Sequence, residues 1–230
     1  MLNKYPRSSS TYQVFIPNIN VRPPKERRID NDKRSNFSID TLNNDEHKLR
    51  EQLKNLFTED IIKRAFSNEF KNVVAVISLL RSLIEAQSEE MDIILDNLDL
   101  ILKMICIKYN TNINPTMLKT FFEFLDALYQ VIINIDYELT DTEVNIILPL
   151  LISKLTVNNT ALKEHLYDLL HSYMEFIGMG KATIVIVNAS LNKNVKIKSE
   201  IIDIITELYL NNSIDIASKP YIKVFSRFLS

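Results

Sequence analysis

Residues capable of catalysis are few in this chain, and their spacing matches no recognised active site. Of 230 residues, three are histidines and one is a cysteine. His165 and His171 are six residues apart, which does not stack them on one helical face as two metal ligands. Cys106 lies in the apolar stretch Leu98–Ile107, where a small buried side chain is expected rather than a nucleophile. We therefore predict a protein that is not an enzyme and that holds no metal and no other cofactor.

The two glycines of the chain, Gly178 and Gly180, exclude the common nucleotide sites. A phosphate-binding loop needs two glycines ahead of its lysine, and a dinucleotide fingerprint needs three at a set spacing. Scarce glycine also disfavours the tight hairpins of a β fold. The chain has no apolar run long enough to span a membrane and no apolar core of a signal peptide. With a single cysteine, this predicts a cytoplasmic protein without a membrane partner.

From Glu46 onward, apolar residues recur every three to four positions, which predicts α-helices. The region Ala182–Leu191 contains a β-branched run typical of a strand, but its place in the series predicts a helix. Gly178 and Gly180 mark the point where the preceding helix must end and the chain must reverse. The pattern predicts nine helical regions: Leu49–Ile62, Val73–Ile84, Ile93–Ile105, Met117–Ile132, Val144–Leu155, Leu162–Phe176, Ala182–Leu191, Ile197–Leu208 and Tyr221–Leu229.

Short polar turns divide these helices into pairs. The turns are marked by Phe70, Asn114, Asn159 and Asn194, at intervals of 44, 45 and 35 residues. HEAT-type repeats of two helices are about 40–47 residues long. One pair cannot bury its apolar face alone, so neighbouring pairs must stack. We predict an all-α fold, an α-solenoid of about four and a half HEAT-like helix pairs over residues 45–230, truncated at its C-terminal end.

Residues 1–44 differ from the rest of the chain because they contain four prolines and no sustained helical period. Residues 1–39 carry a formal charge of +5, whereas the whole chain carries −2. The cluster Arg22–Arg28 could contact an anionic surface by charge alone, but a solvated segment is the better interpretation. We expect a basic, largely disordered segment with no nucleic-acid partner. An open alternative is that part of it packs against the first helices.

The two sets of turns differ in charge. The turns inside the predicted repeats sum to +5, whereas the turns between the repeats sum to −8. Acidic residues at helix N-termini explain part of the negative sum, because they interact favourably with the helix dipole. Lysines near helix N-termini have no such explanation. We therefore predict that the turns inside the repeats form a basic edge that faces an acidic partner.

Phe70 is an aromatic residue within the polar turn Ser67–Asn72. Such a residue can pack on its own helix as a hydrophobic staple. Alternatively it is an exposed anchor, the type of residue that contributes about 2 kcal/mol or more to an interface.

Several blocks of the chain resemble the TOG domains of the ch-TOG family of microtubule polymerases. The blocks are collinear, cover about residues 25–210, and are most similar to the fourth TOG domain of the multi-domain members. Arg27–Asp30 resembles the segment before that domain, and Phe66–Phe70 resembles the first turn inside a repeat. The second repeat is resembled by three blocks, Leu98–Lys103, Asn114–Leu118 and Phe122–Leu125. The start of the third repeat is resembled by Asp136–Glu143 and Ile147–Ile152.

This resemblance implies a flat HEAT-repeat paddle that binds αβ-tubulin through the turns inside its repeats, without hydrolysing nucleotide. It also implies a role in microtubule assembly and spindle organisation, on the cytoplasmic cytoskeleton including the spindle pole or centrosome. Phe70 and Lys71 would contact β-tubulin, and the fourth turn would face α-tubulin. The implied tubulin-binding residues are Phe70, Lys71, Asn114, Thr116, Asn159, Lys163, Lys193, Asn194, Lys196 and Lys198.

Three features depart from the family pattern. Early TOG domains have a tryptophan at the first turn, whereas this chain has none. Asn159 stands where the family usually has a basic residue, and the sequence stops at Ser230, inside the predicted fifth repeat. The alternative function is a HEAT-repeat scaffold or adaptor that binds proteins other than tubulin on a curved helical face.

Overall fold

The structure, a computed structural model, describes residues 13–17, 19, 46–111, 114–191, 193–211 and 226. The regular structure in these ranges is α-helical apart from one isolated β-bridge. The chain divides into two compact units, unit 1 (residues 1–143) and unit 2 (residues 144–230). The helices are α1 (Glu46–Leu53), α2 (Glu59–Ala65), α3 (Phe70–Glu85), α4 (Glu89–Asp96), α5 (Leu98–Thr111), α6 (Pro115–Asn134), α7 (Asp141–Ile152), α8 (Thr160–Ile177), α9 (Met179–Ser190) and α10 (Val195–Leu210).

The prediction of nine helical regions is wrong in two places, because two regions each contain two helices. A turn after Leu53 separates α1 from α2, and Asn97 separates α4 from α5. The Asn97 side-chain amide donates to the carbonyl of Ile93 at 3.0 Å, the kind of local bond with which asparagine competes against a continuous helix. The predicted region Tyr221–Leu229 lies outside the described residues apart from Ser226.

The region Ala182–Leu191 is helical, as predicted, despite its β-branched run. Ala182, Ile186 and Val187 of α9 are fully buried, so burial of one helical face outweighs the local strand preference. Gly178 ends α8 and precedes α9 with a φ of +95°, a conformation that residues with a Cβ rarely adopt. The predicted reversal at this glycine is confirmed.

The core of unit 1 lies mainly between α3 and α6. Phe121, Phe122 and Leu125 of α6 are fully buried. Tyr109, near the end of α5, packs against Phe121 with ring centroids 4.9 Å apart, and its hydroxyl donates to the Met117 carbonyl at 2.6 Å. Burial raises the pKa of the Tyr109 hydroxyl. This buried bond fixes the end of α5 relative to the start of α6, and therefore the turn that joins them.

Part of the N-terminal segment packs against the turn that joins the first two helices. The Ile16 amide donates to the Leu56 carbonyl at 3.1 Å, and the Thr58 amide donates to the Val14 carbonyl at 3.0 Å. The Phe15 ring stacks on Phe57 with centroids 5.3 Å apart. The alternative that this segment packs against the helices therefore holds for residues 13–17, while Arg22–Arg28 and most of residues 1–44 lie outside the described residues.

Candidate functional site

The first turn presents an aromatic residue at its surface. Phe70 is the first residue of α3 and is 38% exposed, and the neighbouring Lys71 is exposed. The Ser67 hydroxyl shapes the turn by accepting from the Glu69 amide and from the Asn72 side chain, each at 3.1 Å. Phe70 is therefore not fully packed on its own helix, and part of the ring is available to a partner.

A second aromatic lies four residues earlier and is buried. The ring of Phe66 packs under the Arg50 guanidinium, which lies 4.5 Å from the ring centroid. The Lys108 ammonium donates to the Phe66 carbonyl at 2.9 Å, and burial lowers the pKa of Lys108. Phe66 thus belongs to the core of unit 1, and only Phe70 of the two rings reaches the surface of the turn.

The second turn begins α6 with an asparagine cap. The Asn114 side-chain oxygen accepts from the Thr116 amide at 2.9 Å and from the Met117 amide at 3.4 Å. Asn114 is half-buried, whereas Thr116 is exposed. Asn114 therefore stabilises the helix end by satisfying amides that lack a partner inside the helix, and Thr116 is the residue this turn offers to a partner.

The third turn also begins with a cap, and its lysine forms an internal ion pair. The Asn159 side-chain oxygen accepts from the Leu162 amide at 3.0 Å, while the residue stays exposed. The Lys163 ammonium lies 2.6 Å from a Glu200 carboxylate oxygen, and the Tyr167 hydroxyl donates to the other oxygen. Burial opposes ionisation of Glu200, but these two bonds outweigh it and lower the Glu200 pKa. Lys163 therefore joins α8 to α10.

The fourth turn is the most basic of the four. The Asn194 side-chain oxygen caps α10 by accepting from the Ile197 amide at 3.0 Å. Lys196 is exposed, and Lys193 and Lys198 are half-exposed. Val195, the first residue of α10, is 81% exposed. The sequence reasoning missed Val195, although Val195 is the first residue of its helix, as Phe70 is of α3.

Within each unit the two turns lie at the same end. In unit 1, Gln87 just after α3 and Asn134 at the end of α6 line one cleft. The C-terminal ends of the two helices therefore lie close together. The two helices run in the same direction, and their N-terminal ends lie together at the opposite end. In unit 2, Lys163 and Glu200 pair near the starts of α8 and α10. Met174 and Leu208 share a cleft further along the same two helices. Unit 1 therefore brings Phe70 near the second turn, and unit 2 brings the third turn near the fourth.

Not every predicted edge charge lies at the surface. Lys154 is 6% exposed, and Lys108 bonds the Phe66 carbonyl, so neither contributes as a free surface lysine. On the acidic side, Glu143 is fully buried and forms a capping box with Thr140, whose amide donates to its carboxylate at 2.8 Å. Counting all of these residues as edge charge is therefore wrong. The basic character of the turns rests on Lys71, Lys119, Lys193, Lys196 and Lys198.

The residues considered for chemistry do not form a reactive centre in the described part of the chain. Cys106 is fully buried in α5, as its apolar surroundings predict. Among the described residues, no three side chains of the His, Cys, Asp and Glu types are grouped in a way that could hold a metal ion. None of the helices in these ranges is both long and apolar enough to cross a membrane.

Two plant proteins named MOR1 are similar to this chain in sequence. No protein-family model matches the chain. The chain is 28% identical to Protein MOR1 of Arabidopsis thaliana over 157 residues, which is 68% of this chain and 8% of that protein. It is 27% identical to Protein MOR1 of Oryza sativa subsp. japonica, also over 157 residues, which is again 68% of this chain and 8% of that protein. The chain therefore spans about 8% of the length of these relatives.

Solved structures share the fold. One, described under the words "TOG-tubulin binding specificity promotes microtubule dynamics and mitotic spindle formation", matches with a TM-score of 0.71 and 20% identity, covering 92% of this chain and 81% of the other. A TOG domain structure from C. elegans Zyg9 matches with a TM-score of 0.67 and 20% identity, and the match covers 95% of this chain and 86% of the other. The predicted class, an all-α fold of HEAT-like helix pairs, is confirmed. The chain has the fold of a TOG domain, and the resemblance to the ch-TOG family that its sequence predicts is confirmed.

Proposed function

We propose that this chain is a tubulin-binding module that acts in microtubule assembly. The observation that carries the proposal is the exposure of Phe70 at the first turn of a TOG fold, beside the exposed Lys71. A few residues buried at the centre of an interface contribute most of its binding energy, and an exposed aromatic ring is suited to that role because it buries a large apolar surface. A structural neighbour whose description names TOG–tubulin binding supports tubulin as the partner.

The two units would make contacts of different kinds. In unit 1, Phe70 and Lys71 would contact β-tubulin, with Thr116 beside them. In unit 2, the fourth turn would face α-tubulin through its lysines, and an acidic partner surface would be attracted to them at long range. Asn114, Asn159 and Asn194 would contribute by holding the turns in shape through their caps. Lys163 would contribute through its bridge to Glu200.

We propose that this role is non-catalytic and that the protein acts on the microtubule cytoskeleton, including the spindle pole or centrosome. The MOR1 relatives and the TOG structures support an architectural role. Acceleration of microtubule growth is part of the proposal but is separate from binding. A module could bind tubulin without promoting growth, so the two activities need separate measurements.

The binding test is co-elution of the full chain with purified αβ-tubulin on a sizing column. We expect a complex that weakens as salt rises, because part of the attraction is between exposed charges. Phe70→Glu should abolish co-elution by placing a carboxylate against the partner. The matched control is Ile135→Glu, because Ile135 is also an exposed apolar residue, 47% accessible, just after the opposite end of α6.

Two results would contradict the proposal. Failure of the unmodified chain to co-elute at low salt would remove tubulin as the partner and favour the HEAT-repeat scaffold. Equal losses for Phe70→Glu and Ile135→Glu would show that the effect is not specific to the first turn. Circular dichroism of both variants would establish that the helices are retained before either result is interpreted.

A further inference from the structure

A narrow cleft lies between α8 and α10 of unit 2. Its volume is about 200 Å³. The floor is formed by the buried side chains of Leu170, Met174 and Leu208. The rim carries one exposed carboxylate on each helix, Asp168 on α8 and Glu207 on α10. The cleft is therefore apolar at its base and acidic at its mouth.

Unit 1 has a corresponding cleft between α3 and α6, and there an arginine occupies the acidic site. This cleft has a volume of about 470 Å³. The Arg81 guanidinium bonds Glu123 on the neighbouring helix, and its Nε lies 3.2 Å from a Glu85 oxygen on its own helix. Arg81 therefore supplies the positive charge that the carboxylates of this cleft require.

Helix position relates two residues of the unit 1 cleft to residues of α8 and α10. Counted from the first helical residue, Arg81 of α3 and His171 of α8 are both twelfth. Glu123 of α6 and Asp203 of α10 are both ninth. Unit 2 thus keeps an acidic residue at the position of the bridging glutamate, but has a histidine at the position of the arginine. None of the described residues that line the unit 2 cleft is a lysine or an arginine.

The surroundings of the unit 2 cleft carry excess negative charge. Within the described residues, neither Asp168 nor Glu207 makes a side-chain hydrogen bond or ion pair. Burial and the hydrogen bond to Glu200 raise the pKa of Tyr167, and the charges of Glu200, Asp203 and Glu207 raise it further. Lys163, whose ammonium lies 5.7 Å from the centroid of the Tyr167 ring, is already paired with the Glu200 carboxylate and does not line the cleft. Among the described residues, no lysine or arginine therefore takes the place at this cleft that Arg81 takes in unit 1.

We propose that the α8–α10 cleft binds an arginine side chain from a basic segment of a partner protein. The aliphatic stem of that arginine lies on Leu170 and Met174, and its guanidinium lies between Asp168 and Glu207. The partner is distinct from the one proposed for the turns, because an acidic cleft repels an acidic surface. The inference therefore does not depend on tubulin binding.

The probe is a synthetic peptide, Ala-Leu-Arg-Ala-Leu-Arg-Ala-Leu-Arg, titrated into the full chain whose methionine methyl groups and histidine rings are labelled for NMR. We expect shifts at Met174 and His171, because both line the cleft. A peptide with citrulline in place of each arginine keeps the shape but loses the charge, and should shift neither signal. Asp168→Asn combined with Glu207→Gln should weaken binding at least about tenfold, since charge-assisted bonds are lost.

A second variant places the missing cation in the chain itself. His171→Arg should fill the cleft as Arg81 does in unit 1 and abolish peptide binding, while the protein remains folded and retains its tubulin co-elution. Glu164→Gln is the matched control, because Glu164 is an exposed acid of α8 that does not line the cleft. It should leave peptide affinity within about twofold of the unmodified chain.

Three outcomes would overturn the proposal. The first is that the arginine peptide shifts no cleft signal. The second is equal binding of the citrulline peptide, which would show apolar adhesion without charge recognition. The third is unchanged peptide affinity in His171→Arg, which would place the binding elsewhere on the chain. Tubulin co-elution measured on the same variants separates failure of the cleft from failure of the turns.

Discussion

The turns of the two units are built on the same plan but expose different chemistry. In unit 1 the first residue of α3 is Phe70, and one lysine lies beside it. In unit 2 the first residue of α10 is Val195, followed closely by Lys196 and Lys198. The first helical residue after a turn therefore offers an aromatic contact at the start of α3, whereas the start of α10 offers a mainly electrostatic contact through the neighbouring lysines. A repeat architecture fixes where a side chain is placed, and the residue type decides what it does there.

The clefts of the two units also differ in the residue type at one corresponding helix position. Arg81 satisfies the acidic cleft of unit 1 from within the chain, whereas His171 occupies the corresponding position in unit 2. The same position thus serves internal stability in one unit and is proposed to serve recognition in the other. A residue's role in a repeat protein is therefore better inferred by comparison with its counterpart than from its own surroundings alone.

The largest effect is expected at the aromatic contact of unit 1. Phe70→Ala should reduce tubulin affinity by about 30-fold, which corresponds to about 2 kcal/mol for loss of a central aromatic anchor. Because the lost contact is apolar, the fold-change should be nearly the same at low and high salt. Fluorescence anisotropy with labelled tubulin at two salt concentrations measures this, and a fold-change that shrinks with salt would contradict the apolar assignment.

The electrostatic contact of unit 2 should behave in the opposite way. Joint replacement of Lys193, Lys196 and Lys198 by alanine should reduce affinity about tenfold at low salt and little at high salt, because exposed charges are screened. The same anisotropy measurement tests this. Lys181→Ala is the control, since Lys181 is an exposed lysine near the start of α9, which follows the end of α8 opposite to the third turn. A salt-independent loss would remove the distinction between the units.

Stability should distinguish the two clefts. Arg81→Met keeps the length of the side chain but removes its charge from between Glu85 and Glu123, and should lower the free energy of unfolding by about 1 kcal/mol. His171→Arg should leave stability unchanged or raise it by up to about 0.5 kcal/mol, as a new partly exposed ion pair does. Urea denaturation compares them, and an equal loss in both variants would show that the clefts are not counterparts.

The smallest effect is expected at Val195. Val195→Ser removes an apolar side chain that is 81% exposed in the free chain, so stability should change by less than about 0.5 kcal/mol. Tubulin affinity should fall about threefold, because a small aliphatic contact contributes less than an aromatic one. If affinity is unchanged, the fourth turn binds through its lysines alone and the contrast between the units becomes sharper.

The class of fold and the position of each turn could be predicted from the sequence. The three-to-four-residue spacing of apolar side chains, the glycine at 178 and the asparagines at 114, 159 and 194 are local signals. They are sufficient because each helix needs an apolar face, and each helix end needs partners for its free backbone groups. The helix breaks at Leu53 and Asn97 were missed because apolar spacing continues through them.

Whether an individual side chain is buried or exposed could not be predicted from local spacing. Lys108 and Lys154 were counted with the basic surface, yet one bonds the Phe66 carbonyl and the other is buried. Val195 was missed although it is among the most exposed apolar residues of the described chain. Whether the exposed residues of the turns bind tubulin stays a prediction until the variants above are measured.

What the sequence determined by itself is the order of helices and turns, because spacing and capping act between residues a few positions apart. What only the tertiary structure decided is which of two similar residues is buried. Phe66 and Phe70 are four positions apart and alike in type, but Arg50 and Lys108 surround the first and leave the second half-open. Those neighbours come from distant parts of the chain, so burial depends on packing between helices, which local spacing does not specify.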